Sequence, residues 1–360
     1  MSLTVLSVAY PFAPVSPDAV GGAEQVLSLL DGELVKAGHR SVVVACEGSR
    51  TAGELVPTPA TRGAITKRVK WRTHAAHRAA IRRALEVHAV DVVHLHGVDF
   101  HQYLPPGEVP ALATLHLPPG WYPPEAFAPW RPNTWLHPVS AAQRRACPPC
   151  ACLLNEIPNG VPVDRLERPV RRRGFALALG RICPEKGFHH ALDAARMAGV
   201  PLLIGGEVFP YEAHRRYHRD KLVPRLDAQR RFLGPVGFQR KRRLLSAARC
   251  LLVPSLAPET SSLVAMEALS CGTPVIAFKA GALPEIVDHG VTGFLVEDAA
   301  GMADAIRAIH HIDPDTCRRV ARERFSATAM ASRYLALYER LAQLDRTDTA
   351  PQEGRRGTAA

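Results

Sequence analysis

Phe175-Ala176-Leu177-Ala178-Leu179 runs into Gly180-Arg181-Ile182-Cys183-Pro184-Glu185-Lys186-Gly187, and this junction decides how the 360-residue chain is read. A short unbroken apolar run is a strand covered on both faces, as in a parallel sheet. A glycine and a cationic loop follow, and then a helical pattern over 186–197. Strand, loop and helix make one βα unit. Downstream the unit recurs, with strands over 201–204, 231–233, 250–253 and 274–278. Helices fall over 239–247, 263–269 and 302–309, and a long polar helix separates the strands at 204 and 231. Upstream the same rhythm begins with a strand over 3–9. A helix over 23–37 has Val26, Leu29, Leu30 and Leu34 on one face and Gly38 as its stop. Strands over 41–46, 91–95, 111–115 and 136–139 complete this half, with a basic helix over 66–87.

Two similar βα halves flank a polar break at 162–174, which holds Asp164, Arg165, Glu167, Arg168, Pro169 and Arg171-Arg172-Arg173 and offers little to bury. The pattern predicts an α/β protein of two Rossmann-like, doubly wound domains facing a central cleft. Ligands of such folds lie at the carboxyl ends of the strands and between domains. The expected division is 1–165, 174–326, a last helix over 327–345 and a flexible tail over 346–360.

Hydrophobic residues make up 47% and charged residues 22%, the composition of a folded domain without a membrane-spanning run. The apolar N-terminus is short and lacks a basic leader, so it reads as a first strand, and the expected address is the cytoplasm. Of the eight cysteines, Cys147, Cys150 and Cys152 cluster, but a structural zinc site wants four ligands and no second pair is present. The formal charge of +11 suits an anionic partner.

Two segments carry the chemistry. Arg181 and Lys186 stand where a helix begins, and helix N-termini attract anions. Arginine can grip a diphosphate with two parallel bonds, and lysine adds a point charge. In Glu259-Thr260-Ser261-Ser262-Leu263-Val264-Ala265-Met266-Glu267, capping by Ser261 or Ser262 would put Glu267 in the first two turns and Glu259 in the loop before them. Both acids could then reach one elongated ligand.

Together these residues resemble the family-4 glycosyltransferases of the GT-B fold, over nearly the whole chain. The likeness includes Gly21-Gly22-Ala23-Glu24, His94-Leu95-His96-Gly97 and Pro158-Asn159-Gly160-Val161. It continues through 180–187 and 259–267 to Gly281-Ala282-Leu283-Pro284-Glu285-Ile286-Val287 and 290–296. The resemblance implies a retaining transferase that moves a sugar from a nucleotide-diphosphate donor to a hydroxyl of a glycan, lipid-linked or small-molecule acceptor. UDP-sugars are the commonest donors of the family, with GDP-mannose the alternative. Arg181 and Lys186 would neutralise the departing diphosphate, where charge grows in the transition state. Glu267 would accept from the ribose hydroxyls, and Glu259 would hold the donor sugar. Gly21 and Gly22 would leave room for the diphosphate and sugar, and Leu263 and Val264 would line the donor site. His116 would touch the sugar from the first domain, and Ser140 is a weaker candidate. The family needs no metal or other cofactor.

Two departures bear on donor identity: Thr260-Ser261 where relatives often carry Phe-Gly, and Gly281-Ala282 where a Gly-Gly pair is common. Asp313-Pro314-Asp315 matches a metal motif of the other large transferase fold, but it reads as a helix cap, a first helical proline and a first-turn acid. Between 62 and 83, Lys67, Arg68, Lys70, Arg72, Arg78, Arg82 and Arg83 surround Trp71, and such a helix can rest on an acidic membrane at its inner face. A solvated arginine-rich face is the plainer reading. Lys241, Arg242 and Arg243 receive no role. Nucleic acid is not expected as a partner, for no zinc finger or stacking motif accompanies the charge. The rival readings are a nucleotide-sugar epimerase of the same architecture and a non-catalytic nucleotide-sugar-binding protein.

Overall fold

The structure is a computed structural model that describes residues 2–348 apart from 20, 169 and 171. The expected tail therefore lies outside the described residues from 349 onward. In the first half the elements run β1 Thr4–Val8, α1 Gly22–Lys36, β2 Arg40–Cys46, β3 Glu54–Thr58, α2 Lys67–Val87, β4 Val92–Leu95, β5 Ala111–Leu115, β6 Thr134–Pro138 and α3 Ala141–Ala146. After α4 Val163–Leu166 the second half runs β7 Ala176–Leu179, α5 Phe188–Met197, β8 Leu202–Gly205, α6 Glu212–Tyr217, β9 Arg230–Phe232 and α7 Phe238–Ala247. It closes with β10 Cys250–Val253, α8 Leu263–Ser270, β11 Val275–Phe278, α9 Leu283–Ile286, β12 Gly293–Val296, α10 Ala299–Ala308, α11 Pro314–Phe325 and α12 Ala327–Asp348.

Each half forms a six-stranded sheet, ordered β3-β2-β1-β4-β5-β6 and β12-β11-β10-β7-β8-β9. Every pairing is parallel. Both orders turn back beside the first strand of their half, which opens a crevice at the carboxyl ends of β1 and β4, and of β7 and β10. The central strands are apolar because helices cover both faces: β4, β7 and β10 are buried at every position. These are the two Rossmann-like domains of the GT-B fold.

Four elements differ from the sequence reading. β3 was not foreseen; it is a half-exposed edge strand whose Pro57 is tolerated because an edge lacks one set of ladder bonds. β12, an edge strand of the second sheet, was not foreseen either; it is short and only partly covered. The long polar helix is broken into α6, a wider turn at His218–Leu222 and a tight turn at Val223–Arg225 that contains Pro224. The break at 162–174 is not all surface: α4 buries Val163 and Leu166 in the core of the second sheet.

The chain crosses between the domains twice. Val161 donates its N–H to Phe325 at 2.7 Å and accepts from Ala327 at 3.0 Å, so the two crossings lie side by side. A Cβ on Gly160 would stand 2.8 Å from the Ser326 carbonyl oxygen, which explains the glycine there. Beyond the second crossing, α12 returns to the first domain. Its Met330, Ala331, Tyr334, Leu337, Tyr338, Leu341 and Ala342 pack with Leu3, Val5, Val26, Leu30, Leu34, Val92 and Leu112. Among the described residues, no helix is long and apolar enough to cross a membrane. Cys150 and Cys152 are joined in a disulfide and Cys147 is free, an arrangement that leaves no four-ligand set at that cluster.

Candidate functional site

A cavity of about 1000 Å³ opens between the two sheets. Gly21, Gly22 and His116 line it from the first domain, and Arg181, Lys186, Glu259, Leu263, Val264 and Glu267 from the second. At its waist the domains touch: a Cβ on Gly22 would meet Leu263 Cδ1 at 3.3 Å. Ser140 is not brought in. It is buried as the cap of α3, accepting from the Gln143 N–H at 3.1 Å, and borders a separate cavity of about 130 Å³. A βα turn makes a serine natural at that position without any ligand.

On the second-domain wall two lysines and two glutamates are already paired. Lys186 Nζ stands 2.5 Å from Glu259 Oε1, and the Ser255 hydroxyl also donates to that carboxylate. Deeper in, Lys241 on α7 donates to Glu267, whose side chain is 4% exposed. Sequence reasoning gave Lys241 no role; the signal was its placement on a helix following the β9 edge, which a run of three cations obscured. Neither Ser261 nor Ser262 caps α8: Ser262 occupies the cap position without a side-chain bond, and Ser261 Oγ is buried and unpartnered. Glu267 still lies within the first two turns, as the spacing required.

Arg181 is exposed at the cavity wall, one residue beyond Gly180, and Lys186 ends a single tight turn over 184–186. α5 begins at Phe188 and not at Lys186, because Gly187 adopts a left-handed backbone. The two cations therefore sit in the loop ahead of the helix.

The first-domain wall is uncharged at its centre. His116, just past β5, bonds His96 through His116 Nε2 and His96 Nδ1 at 3.1 Å, with the rings stacked. Behind them His94 Nδ1 meets the Tyr338 hydroxyl at 2.6 Å and His94 Nε2 meets Thr114 Oγ1 at 2.7 Å. His137 Nε2 shares the same threonine at 2.7 Å. Burial holds all four imidazoles neutral: His94 and His96 lie well below the ordinary value, His116 falls to about 3 and His137 to about 4. His96 lines the cavity, and sequence reasoning named it only as part of a motif.

Gly21 lines the cavity and also lies against its own helix. A Cβ there would stand 1.9 Å from Glu24 Oε2, so the glycine makes room for a carboxylate of its own helix. Asn159, at the first crossing, also lines the cavity; it is 5% exposed and its Oδ1 has no partner.

Three hydrogen bonds tie the two domains together. Thr260 donates its hydroxyl to the His116 carbonyl at 3.0 Å. Glu285 accepts from the N–H groups of Ala141 and Ala142, at 3.0 and 2.6 Å, where α3 begins.

Asp313 does cap α11, accepting from the Asp315 and Thr316 N–H groups, with Pro314 opening the helix. Among the described residues one trio could offer a metal three ligands: Cys183, Glu185 and His214, whose ligand atoms lie within 4.8 Å of one another.

The comparisons with known proteins agree with this architecture. Residues 20–154 match the model described as Glycosyltransferase Family 4, and residues 174–311 the model described as Glycosyl transferases group 1. A phosphatidyl-myo-inositol mannosyltransferase of Mycobacterium leprae is 32% identical over 206 residues, which cover 52% of this chain and 54% of that protein. A D-inositol 3-phosphate glycosyltransferase of Mycobacterium sp. (strain KMS) is 40% identical over 170 residues, 45% of this chain and 38% of that protein. The matches thus span about half, or less, of the length of these curated relatives. Among solved structures, AviGT4, a glycosyltransferase involved in avilamycin A biosynthesis, superposes with a TM-score of 0.73 at 25% identity, over 95% of this chain and 98% of that one. With a family match on each of its two domains and the shared fold over nearly its whole length, this chain belongs to the family-4, group 1 glycosyltransferases of the GT-B fold.

Proposed function

We propose that the protein transfers a sugar, with retention of configuration and without a metal ion, from a nucleotide-diphosphate donor to a hydroxyl of its acceptor. The observation that carries this reading is the single cavity whose second-domain wall holds Arg181, Lys186, Glu259 and Glu267 while His116 faces them from the first domain. The diphosphate takes Arg181 and Lys186, whose fixed charge does the work a metal would otherwise do as the leaving group gains charge. Glu267 takes the ribose and Glu259 the donor sugar, alongside Leu263 and Val264. His116, being neutral, contributes a hydrogen bond and no charge. The first domain seats the acceptor.

Donors are UDP-sugars or GDP-mannose, and the mannosyltransferase and inositol-phosphate relatives make mannose and inositol-bearing acceptors the first to try. The exposed cations of α2 and its Trp71, 68% exposed, suit a peripheral contact with an acidic membrane surface that would present a lipid-linked acceptor.

A thermal-shift panel of UDP, GDP, ADP and their sugar conjugates, with and without EDTA, tests the reading, because a ligand of the native state raises the melting temperature. The expected result is one responding nucleotide and no effect of EDTA. Equal donor hydrolysis by wild type and by the Arg181→Ala, Lys186→Ala double variant would remove those residues from the mechanism.

A further inference from the structure

Glu24 stands apart from the other charged groups of the cavity. It lies in the first turn of α1, lines the cavity and is only 8% exposed. Its carboxylate has no ion pair or hydrogen bond to any other described residue. Burial without a partner raises its pKa, opposed only by its own backbone N–H. Such a group weakens the fold unless something else needs it.

Of the cations that line the cavity, Lys186 is committed to Glu259 and Lys241 to Glu267, and the exposed Arg181 makes no ion pair with Glu24. Gly21 gives the carboxylate its place, since any side chain there would collide with Oε2. The loop and the acid are therefore built together. A phosphate is not a fitting partner for Glu24, because two anions would be forced against each other in a buried site. What fits a buried carboxylate without a cation is a neutral group rich in O–H donors. A hydrogen bond to a charged acceptor is among the stronger kinds.

We propose that Glu24 is a carbohydrate-binding residue, accepting hydrogen bonds from hydroxyls of the sugar or polyol seated on the first-domain wall. This rests on the transferase reading above. The hydroxyls can belong to the donor sugar or to the acceptor, and two arms of one experiment separate them.

The full chain and its Glu24→Gln and Glu24→Ala variants are compared by calorimetry. In the first arm UDP and GDP are compared with UDP-glucose and GDP-mannose. In the second, myo-inositol and D-mannose are titrated onto the nucleotide complex. Both variants are expected to bind the bare nucleotide as wild type does, which also reports that they fold. The contribution of the carbohydrate is expected to fall roughly ten- to a hundredfold in one arm. A loss in the first arm assigns Glu24 to the donor sugar, and a loss in the second assigns it to the acceptor. Wild-type carbohydrate binding in both arms of both variants, or no carbohydrate contribution in wild type itself, overturns the proposal. Failure of wild type to bind any nucleotide overturns the transferase reading and this inference with it.

Discussion

Lys186 and Glu259 meet at 2.5 Å, joining the loop after β7 to the loop before α8 across the mouth of the second domain. In the ligand-free cleft each neutralises the other. On the proposed function a donor separates them, its diphosphate taking the lysine and its sugar hydroxyls the acid. Glu259→Gln should therefore bind the bare nucleoside diphosphate at least as tightly as wild type while losing turnover by roughly a hundredfold. Lys186→Ala should weaken nucleotide binding and lower turnover by about 10²–10³-fold. Calorimetry on UDP and GDP, paired with initial rates of diphosphate release, reads both effects. Weaker binding of the bare nucleotide to Glu259→Gln would mean that the pair serves to shape the loops.

Lys241→Met should leave the Glu267 carboxylate buried without its cation. Removing one partner of a buried pair costs ~3 kcal/mol or more, whereas replacing both is far milder. Urea denaturation should show a clear loss for Lys241→Met and partial recovery in the Lys241→Met, Glu267→Gln double variant. Equal stability of wild type and the single variant would show that the pair contributes nothing to the fold.

The four neutral histidines behind the first-domain wall make the protein sensitive to acid. Their folded pKa values lie below the ordinary 6.5, so the unfolded chain binds more protons than the folded one as pH falls below that value. The stability these groups contribute is then present above pH 6.5 and is lost as pH drops towards about 4. Melting temperatures across this window should fall steeply. The pH profile of donor turnover should lack a break near 6.5 from His116, which stays neutral to about 3.

Glu285 holds the start of α3 from the opposite domain. Glu285→Ala removes both acceptors, so the free protein should scatter as a more open particle, with nucleotide restoring part of the compaction. A scattering profile identical to wild type would locate the restraint elsewhere, as at Thr260 and the His116 carbonyl.

Most of the fold could be read from the chain, because buried parallel strands write themselves as apolar runs and their helices as periodic faces. The edges could not: β3 is half exposed and mixed in composition, and β12 is a four-residue, only partly covered strand that opens on a glycine. Leu166 was hidden for the opposite reason, as a buried residue set among charges. Within the site, Arg181, Lys186, Glu259 and Glu267 could be found because turn and helix starts place them locally. Lys241 and His96 could not, since each is defined by a partner on a distant segment, and the closeness of Gly21 to the Glu24 carboxylate is a matter of side-chain placement that no motif spells out.

The return of α12 to the first domain has a consequence for biosynthesis. The second domain is whole once residue 325 has left the ribosome, but one face of the first-domain core waits for Met330 through Ala342. The half translated first is thus finished last, and until then Leu3, Leu34 and Leu112 keep an apolar surface open to chaperones.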